Sequence, residues 1–175
     1  MMCMGAGNSK KESKAMQDLI ATAEKISTVL KARKETIVVA ESSTAGLISA
    51  ALLAVPGASA YFLGGAVVYT RQSRRVFLDV PDAALDGMRP STEPYALMMA
   101  RTSRERFGAT WALAETGATG PTGNRYGDAA GHSCFGIAGP AEVSMTLETG
   151  KPDRLANMNA FTAEALNFLL RTISK

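Results

Sequence analysis

The chain has 175 residues, of which 46% are hydrophobic and 20% are charged. This length fits a single domain, and the apolar content excludes a wholly disordered chain. The formal net charge is only +3, which is poor support for nucleic-acid binding. The single histidine, His132, excludes a two-histidine metal site, and two cysteines, Cys3 and Cys134, cannot form a disulfide framework. Composition therefore favours a soluble intracellular protein that binds no nucleic acid.

The sequence carries no sign of a membrane or export segment. Its longest strongly apolar run without a charge, residues 45–55, is far shorter than the ~20 residues that cross a bilayer. Residues 1–14 are small, polar and basic, and lack the apolar stretch of a signal peptide. We therefore expect a cytoplasmic protein that binds no membrane. We predict a flexible tail over residues 1–14 and one domain over residues 15–175.

Helical and strand-like segments alternate along the chain. Apolar residues recur at helical spacing from Met16 to Leu30, whereas residues 36–40 are β-branched and apolar, as in a strand buried on both faces. In chain order we predict helix 15–33, strand 36–40, a helix to about residue 54, strand 66–69, a basic helical turn from residue 71, helix 94–107, strand 111–114, strands 134–137 and 143–147, and a last helix from residue 155. This alternation predicts a three-layer α/β/α sandwich.

Ser42, Ser43 and Thr44 lie between the first predicted strand and the helix that follows it. Ligands of open α/β sheets bind at the carboxyl ends of strands, and free N–H groups at a helix start favour a phosphate or an oxyanion. A serine at this corner can be a nucleophile, although the spacing of the hydrolase nucleophile elbow is absent. Simple helix capping explains the same three residues.

A glycine-rich loop runs from Gly117 to Gly131. Such a loop can wrap a phosphate with its backbone amides, but it matches neither a Walker loop nor a Rossmann fingerprint. A plain surface loop is equally consistent with the pattern. His132, directly after it, has no partner nearby in sequence, and we expect a structural or exposed role for it.

The basic residues Arg71, Arg74, Arg75 and Arg154 are the remaining candidates for ligand binding. Arginine binds phosphate and carboxylate through two parallel hydrogen bonds. A solvated basic face would give the same pattern. The sequence leaves both interpretations open.

These features occur together in the order of one protein family. The motifs, in chain order, are Ala40-Glu-Ser-Ser-Thr-Ala-Gly46, Pro56-Gly-Ala-Ser-Ala60, Val67-Val-Tyr69, Thr92-Glu-Pro94, Ala112-Leu-Ala-Glu-Thr-Gly-Ala-Thr-Gly-Pro121 and Asp153-Arg154. Together they resemble the CinA C-terminal domain family over residues 15–172. The molybdopterin-binding-like half of full-length CinA proteins has no counterpart here, so the chain is similar to the stand-alone nicotinamide-nucleotide amidohydrolases.

The resemblance implies a fold and an activity. The sheet should be mixed, mainly parallel with one antiparallel strand. Members of this family hydrolyse the carboxamide of nicotinamide mononucleotide to nicotinic acid mononucleotide and ammonia. They use serine and lysine chemistry with no metal or other cofactor. We therefore expect a small-molecule nucleotide as the ligand, and a homo-oligomer as the assembled form.

The resemblance also assigns site residues. It implies catalytic positions at Ser42, Tyr69 and Thr116. The implied substrate-binding positions are Ser43, Thr44, Gly46, Arg74, Gly117, Gly120 and Arg154.

The sequence departs from the family at several of these motifs. The lysine expected five residues after Tyr69 is Arg74, which stays protonated and cannot deprotonate a serine. Ala45 stands where the family has the first of two glycines, and its Cβ can restrict the backbone. Residues 124–132 replace an acidic-lysine-proline-valine-glycine segment, and Pro152 replaces the glycine before the Asp-Arg pair.

These departures keep alternatives open. The first hypothesis is an amidohydrolase that acts on nicotinamide mononucleotide or a related pyridine nucleotide. The second is a catalytically silent member of the family that binds a nucleotide or a protein partner. A hydrolase for a different amide or ester is the third.

Overall fold

The computed structural model describes residues 6–85 and 87–175. Five helices are present in these ranges, namely α1 (Ala6–Arg33), α2 (Leu47–Leu53), α3 (Arg71–Leu78), α4 (Glu93–Phe107) and α5 (Arg154–Ile173). The five strands of the same ranges are β1 (Ile37–Glu41), β2 (Phe62–Val67), β3 (Trp111–Ala118), β4 (His132–Ala138) and β5 (Val143–Glu148). Short 3₁₀ turns cover Ala58–Ala60 and Asp82–Leu85.

The strands form one sheet in the order β2-β1-β3-β4-β5. Strand β1 is parallel to both β2 and β3, whereas β4 is antiparallel to both β3 and β5. Four strands therefore run in one direction and β4 runs against them. This arrangement confirms the mixed, mainly parallel sheet with one antiparallel strand.

Helices cover both faces of the sheet and enclose two apolar cores. On one face, α1, α2 and α5 pack against alternate residues of the strands, such as Ile37, Val39 and Leu113. On the other, α3 and α4 pack against Val38 and the small alanines of β3. Because both sides of β1 are covered, all five of its residues are buried, as its continuous apolar sequence predicts. The three-layer α/β/α sandwich is confirmed.

Three element boundaries differ from the sequence prediction by four residues or more. Strand β3 ends at Ala118 rather than at residue 114. Helix α1 begins at Ala6 rather than near residue 15, since lysine and glutamate continue a helix well without any apolar face. The expected tail therefore overlaps α1, while residues 1–5, including Cys3, lie outside the described part of the chain. The division at residue 14 stays a prediction.

Strand β2 ends at Val67 and begins at Phe62, four residues before the predicted start at residue 66. Its two glycines, Gly64 and Gly65, argue against a strand when the sequence is taken alone. Packing explains one of them, because a Cβ on Gly65 would lie 2.0 Å from Ser49 Oγ of helix α2. In the described ranges, no helix is long and apolar enough to cross a membrane.

Candidate active site

A cleft of about 600 Å³ opens at the carboxyl ends of the three parallel strands β1, β2 and β3. This is the edge where an open α/β sheet binds ligands. Three segments that leave these strands form its walls, together with the turn before α4 and part of the glycine-rich loop. The lining residues are Ser42, Val68, Tyr69, Thr70, Arg71, Arg74, Pro90, Ser91, Tyr95, Thr116, Gly117, Asn124, Arg125 and Tyr126.

The three predicted catalytic residues all line this cleft. Ser42 follows β1, Tyr69 follows β2, and Thr116 lies near the end of β3. The Thr116 hydroxyl accepts a hydrogen bond from the backbone N–H of Ser91 at 3.3 Å, which joins β3 to the turn before α4. The topology of the sheet therefore brings together residues that are far apart in the sequence. Their catalytic roles stay predictions.

The predicted substrate-binding residues divide into two groups. Arg74 and Gly117 line the cleft with the catalytic candidates. The others are not among its lining residues, namely Ser43, Thr44, Gly46, Gly120 and Arg154. The hydrogen bonds of this second group stabilise the loops behind the cleft.

Glu115, on β3, organises the loop that carries Ser42. Its carboxyl group accepts hydrogen bonds from the backbone N–H groups of Ser42 at 3.1 Å and Thr44 at 3.0 Å, and from the Ser43 hydroxyl. Ser133 on β4 donates to the same group at 3.2 Å. Burial raises the pKa of Glu115, and these hydrogen bonds reverse only part of that effect.

Glu41, the last residue of β1, accepts hydrogen bonds from the free backbone N–H groups at the start of helix α2. Its carboxyl group accepts hydrogen bonds from the backbone N–H groups of Gly46, Ile48 and Ser49, at 2.8–3.0 Å. The residue at the N-cap position is Gly46, and it makes no side-chain cap bond. Capping by Ser42, Ser43 or Thr44 is therefore the wrong interpretation, as is an oxyanion site built on the N–H groups at this helix start.

The sequence interpretation missed the structural importance of both glutamates. The signal was available, because each glutamate ends a run of apolar residues that forms a buried strand. A carboxyl group in such a position needs several donors. Thr44 links the two, since its hydroxyl lies 2.9 Å from Glu41 Oε2 and 3.0 Å from Glu115 Oε2.

Arg74 lies in the cleft wall with a side chain that is only 2% exposed. Its Nε donates to the carbonyl of Val80 at 3.1 Å, its Nη2 to Asp82, and its Nη1 to the Tyr95 hydroxyl at 3.5 Å. Each guanidinium nitrogen therefore has an acceptor within the protein. Arg74 connects α3, the 3₁₀ turn and α4, and it offers no free fork to a phosphate.

Arg154 is hydrogen-bonded to the glycine-rich loop and does not line the cleft. As the first residue of α5 it donates from Nη1 to the carbonyl of Gly120 at 2.8 Å. Asp153 caps the same helix by accepting from the N–H of Ala156 at 2.8 Å. The Asp-Arg pair thus fixes α5 to the loop, a structural function that needs no ligand.

Residues 124–128 form a compact turn at the cleft. The Asn124 side chain accepts from the N–H groups of Tyr126 at 2.9 Å and Asp128 at 3.1 Å. The Asp128 carboxylate binds Arg89 through two hydrogen bonds of 2.7 and 2.9 Å, and Arg89 lowers its pKa. The turn is therefore tied to the segment that precedes α4.

His132, at the start of β4, joins three parts of the cleft's supporting structure. Its Nδ1 contacts the Glu148 carboxylate on β5, and its Nε2 lies 2.9 Å from the carbonyl oxygen of Ser91. Both partners are acceptors, so the ring is best satisfied when both nitrogens carry a proton. Burial lowers the pKa of His132, but the hydrogen bonds to Glu148 and Ser91 outweigh it, and the net shift is upward. The expectation of a structural role agrees with these contacts.

Comparison with known proteins places this chain in a family. The CinA C-terminal domain matches residues 19–173. A CinA-like protein of Salinibacter ruber is 36% identical over 145 residues, which cover 83% of this chain and 35% of that protein. The chain therefore belongs to the CinA C-terminal domain family. It spans between a quarter and about a third of the length of the curated relatives that it matches.

Solved structures agree with this assignment. A competence/damage-inducible protein from Agrobacterium tumefaciens superposes with a TM-score of 0.82 and 26% identity, over 99% of this chain and 100% of that one. A competence-damaged protein (CinA) superfamily protein from Escherichia coli has the same TM-score and identity, over 89% and 91% of the two chains.

Proposed function

We propose that the chain is a serine amidohydrolase that converts nicotinamide mononucleotide and water to nicotinic acid mononucleotide and ammonia. The observation that carries the proposal is that Ser42, Tyr69 and Thr116 line one cleft at the carboxyl edge of the parallel strands. The cleft also carries the arginines and tyrosines that suit an anionic, aromatic ligand. Family membership supports the same reaction.

In the proposed reaction, Ser42 Oγ attacks the amide carbon and gives an acyl-serine ester as ammonia leaves. Water then hydrolyses that ester, which releases the acid and restores Ser42. The oxyanion needs N–H donors, and those of Gly46, Ile48 and Ser49 are occupied by Glu41. The N–H of Ser43 is the donor we assign, since acyl-transfer serines on such turns use the amide of the next residue.

A proton acceptor for Ser42 must come from a residue other than Arg74. Three phenol hydroxyls, those of Tyr69, Tyr95 and Tyr126, line the same cleft as Ser42. The Tyr126 hydroxyl accepts a hydrogen bond from Arg125 at 2.8 Å. The Tyr95 hydroxyl already accepts a hydrogen bond from Arg74, whereas Tyr69 is 60% exposed. We therefore assign a proton relay to Tyr69: its hydroxyl oxygen takes the proton of Ser42 while its own hydroxyl proton passes to the nitrogen that leaves as ammonia. Thr116 orients the substrate from the opposite strand.

The test is ammonia release from nicotinamide mononucleotide by the purified chain, with nicotinic acid mononucleotide measured in parallel. We expect both products in equal amounts, and a loss of at least a hundredfold in kcat for Ser42→Ala. Thr28→Ala, which removes an exposed hydroxyl from α1, is the matched control and should keep full activity. Equal background rates for wild type and Ser42→Ala would contradict the proposal.

A second function is favoured by the bonding of Arg74. Arg74 cannot act as a base, and a protein without a base could bind a nucleotide in this cleft and not hydrolyse it. A thermal-shift measurement with nicotinamide mononucleotide separates the two, since a ligand that binds the folded state raises the melting temperature. Stabilisation with no ammonia release supports the binding protein.

A further inference from the structure

The turn at residues 124–128 places two side chains at the cleft that neither the family motifs nor the proposed chemistry employ. These are Arg125 and Tyr126, both of which line the cleft. Arg125 Nη2 donates to the Tyr126 hydroxyl at 2.8 Å, and its guanidinium lies 5.0 Å from the centre of the same ring. The two side chains therefore form one unit with a cationic and an aromatic part.

The backbone of the turn is fixed before any ligand arrives. Besides the two N–H groups that Asn124 holds with its side-chain oxygen, the N–H of Asn124 donates to the carbonyl of Asp128 at 3.0 Å. The two-pronged bond from Arg89 then anchors Asp128 to the segment that leads into α4. Arg125 and Tyr126 consequently extend from a braced turn, which lowers the entropy lost on binding.

The charge of the side chains that line the cleft is positive. Three arginines line it, and within the described ranges no aspartate or glutamate does. Arg74 has protein acceptors for all its nitrogens, as described above. Arg71 is 63% exposed with Asp82 at 3.9 Å, and in the described part of the chain Arg125 forms no ion pair. Arg71 and Arg125 are therefore the arginines with donors left for an anion.

We propose that Arg125, with Arg71, binds the phosphate monoester of the substrate, and that Tyr126 contributes an aromatic surface beside it. This inference rests on the proposed function and adds to it the group by which a nucleotide is distinguished from its nucleoside. Guanidinium groups suit this task because they bind phosphate oxygens in pairs and cannot lose their charge. The turn thus determines specificity, while the Ser42 loop carries the chemistry.

The test compares two probes that differ only in the phosphate, nicotinamide mononucleotide and nicotinamide riboside, by isothermal titration calorimetry. Wild type should bind the mononucleotide at least tenfold more tightly than the riboside. Arg125→Gln should weaken mononucleotide binding about tenfold and leave riboside binding within twofold. Arg75→Gln removes the same charge from an exposed position outside the cleft and should change neither.

The outcomes separate this inference from the proposed function. Equal affinity of wild type for both probes, with ammonia still released from each, would overturn the phosphate subsite and leave the hydrolase intact. Equal weakening of both probes by Arg125→Gln would overturn it as well, because a phosphate contact cannot act on the riboside. No binding of either probe to wild type would contradict both proposals.

Discussion

At the scale of single residues, Glu41 and Glu115 hold the loop of Ser42 and Ser43 in place through their hydrogen bonds. Both are buried, and together they bond the backbone from Ser42 to Ser49. The buried N–H groups of this segment need hydrogen-bond acceptors, and the two carboxyl groups provide them. The position of Ser42 is therefore set by residues that do not touch the cleft.

This role of Glu115 gives a prediction for two substitutions. Glu115→Ala leaves the N–H groups of Ser42 and Thr44 without an acceptor and should lower the free energy of unfolding by at least about 2 kcal/mol. Glu115→Gln keeps an oxygen for those amides, and the hydroxyls of Ser43 and Ser133 can rotate to accept from its NH₂ group. It has the shape of the protonated acid that burial favours, and should cost less than about 1 kcal/mol.

Urea unfolding at pH 7 measures both variants against wild type. The two substitutions must differ in the predicted order. If Gln were as damaging as Ala, the carboxylate charge rather than the accepting oxygen would hold the loop, and the assignment would be wrong.

Ala45 carries a second prediction at this scale. Its φ is 53°, in the left-handed region that costs a residue with a Cβ about 1–2 kcal/mol. Ala45→Gly should therefore raise the free energy of unfolding by about 1 kcal/mol. Ala50→Gly, at an exposed position inside α2, should lower it by about 0.5–1 kcal/mol, and so provides a control of opposite sign. A loss of stability in both variants would contradict the strain at Ala45.

The sequence predicts some of these residues and not others, for physical reasons. Ser42, Tyr69 and Thr116 follow strand ends, and strand ends of a parallel sheet meet at one edge, so their proximity is predictable. The partners of Arg74 are not, because Val80, Asp82 and Tyr95 meet it only once α3 and α4 have packed. The sequence therefore predicts that an arginine stands where the family has a lysine, but it does not predict that the guanidinium group is hydrogen-bonded within the protein.

At the scale of secondary-structure elements, His132 joins strands β4 and β5 to the segment before α4. It contacts Glu148 and the carbonyl of Ser91, while Asp128 lies 3.9 Å from its Nε2. The N–H of the same Ser91 donates to Thr116. Protonation of His132 is therefore linked to the position of the Ser91 segment, which forms one wall of the cleft.

The raised pKa of His132 adds one contribution to the change of stability with pH. Its folded value lies above the ordinary value of about 6.5, so the protonated ring stabilises the fold fully below that pH. That contribution is lost as the pH rises through the folded pKa. We expect His132→Gln to remove about 1 kcal/mol of stability at pH 5.5 and much less at pH 9.

Urea unfolding of wild type and His132→Gln across this pH range provides the measurement. The difference between the two proteins is the informative quantity, because groups that do not contact His132 titrate equally in both. A difference that grew towards high pH would show that the neutral ring is the stabilising form.

The same scale shows where strand prediction succeeds and fails. Strand β1 is recognised from its sequence because burial on both faces demands an unbroken β-branched, apolar run. Strand β2 lies at the sheet edge with alternate residues exposed, and one of its glycines, Gly65, is required by the close approach of α2. That requirement arises from the packing of α2 against β2, which the sequence of β2 alone cannot predict.

At the scale of the whole molecule, the larger apolar core that stabilises the fold lies apart from the cleft that holds the candidate site. The larger apolar core lies under α1, α2 and α5, and the cleft opens at the carboxyl edge, where β1, β2 and β3 end. Loops can therefore diverge there while the sandwich is unchanged. Arg74 and the turn at residues 124–128 both lie at this edge, where their side chains contribute to the cleft lining.

The proposed reaction requires an acyl intermediate between Ser42 and the carboxamide carbon of a pyridine nucleotide. Rapid mixing with nicotinamide mononucleotide, acid quenching and peptide mapping by mass spectrometry tests it directly. We predict an added nicotinoyl ribotide group on the peptide that contains Ser42, formed together with ammonia, and no such adduct in Ser42→Ala. Ammonia release at the wild-type rate from Ser42→Ala, with no modified peptide in either protein, would contradict the proposed reaction.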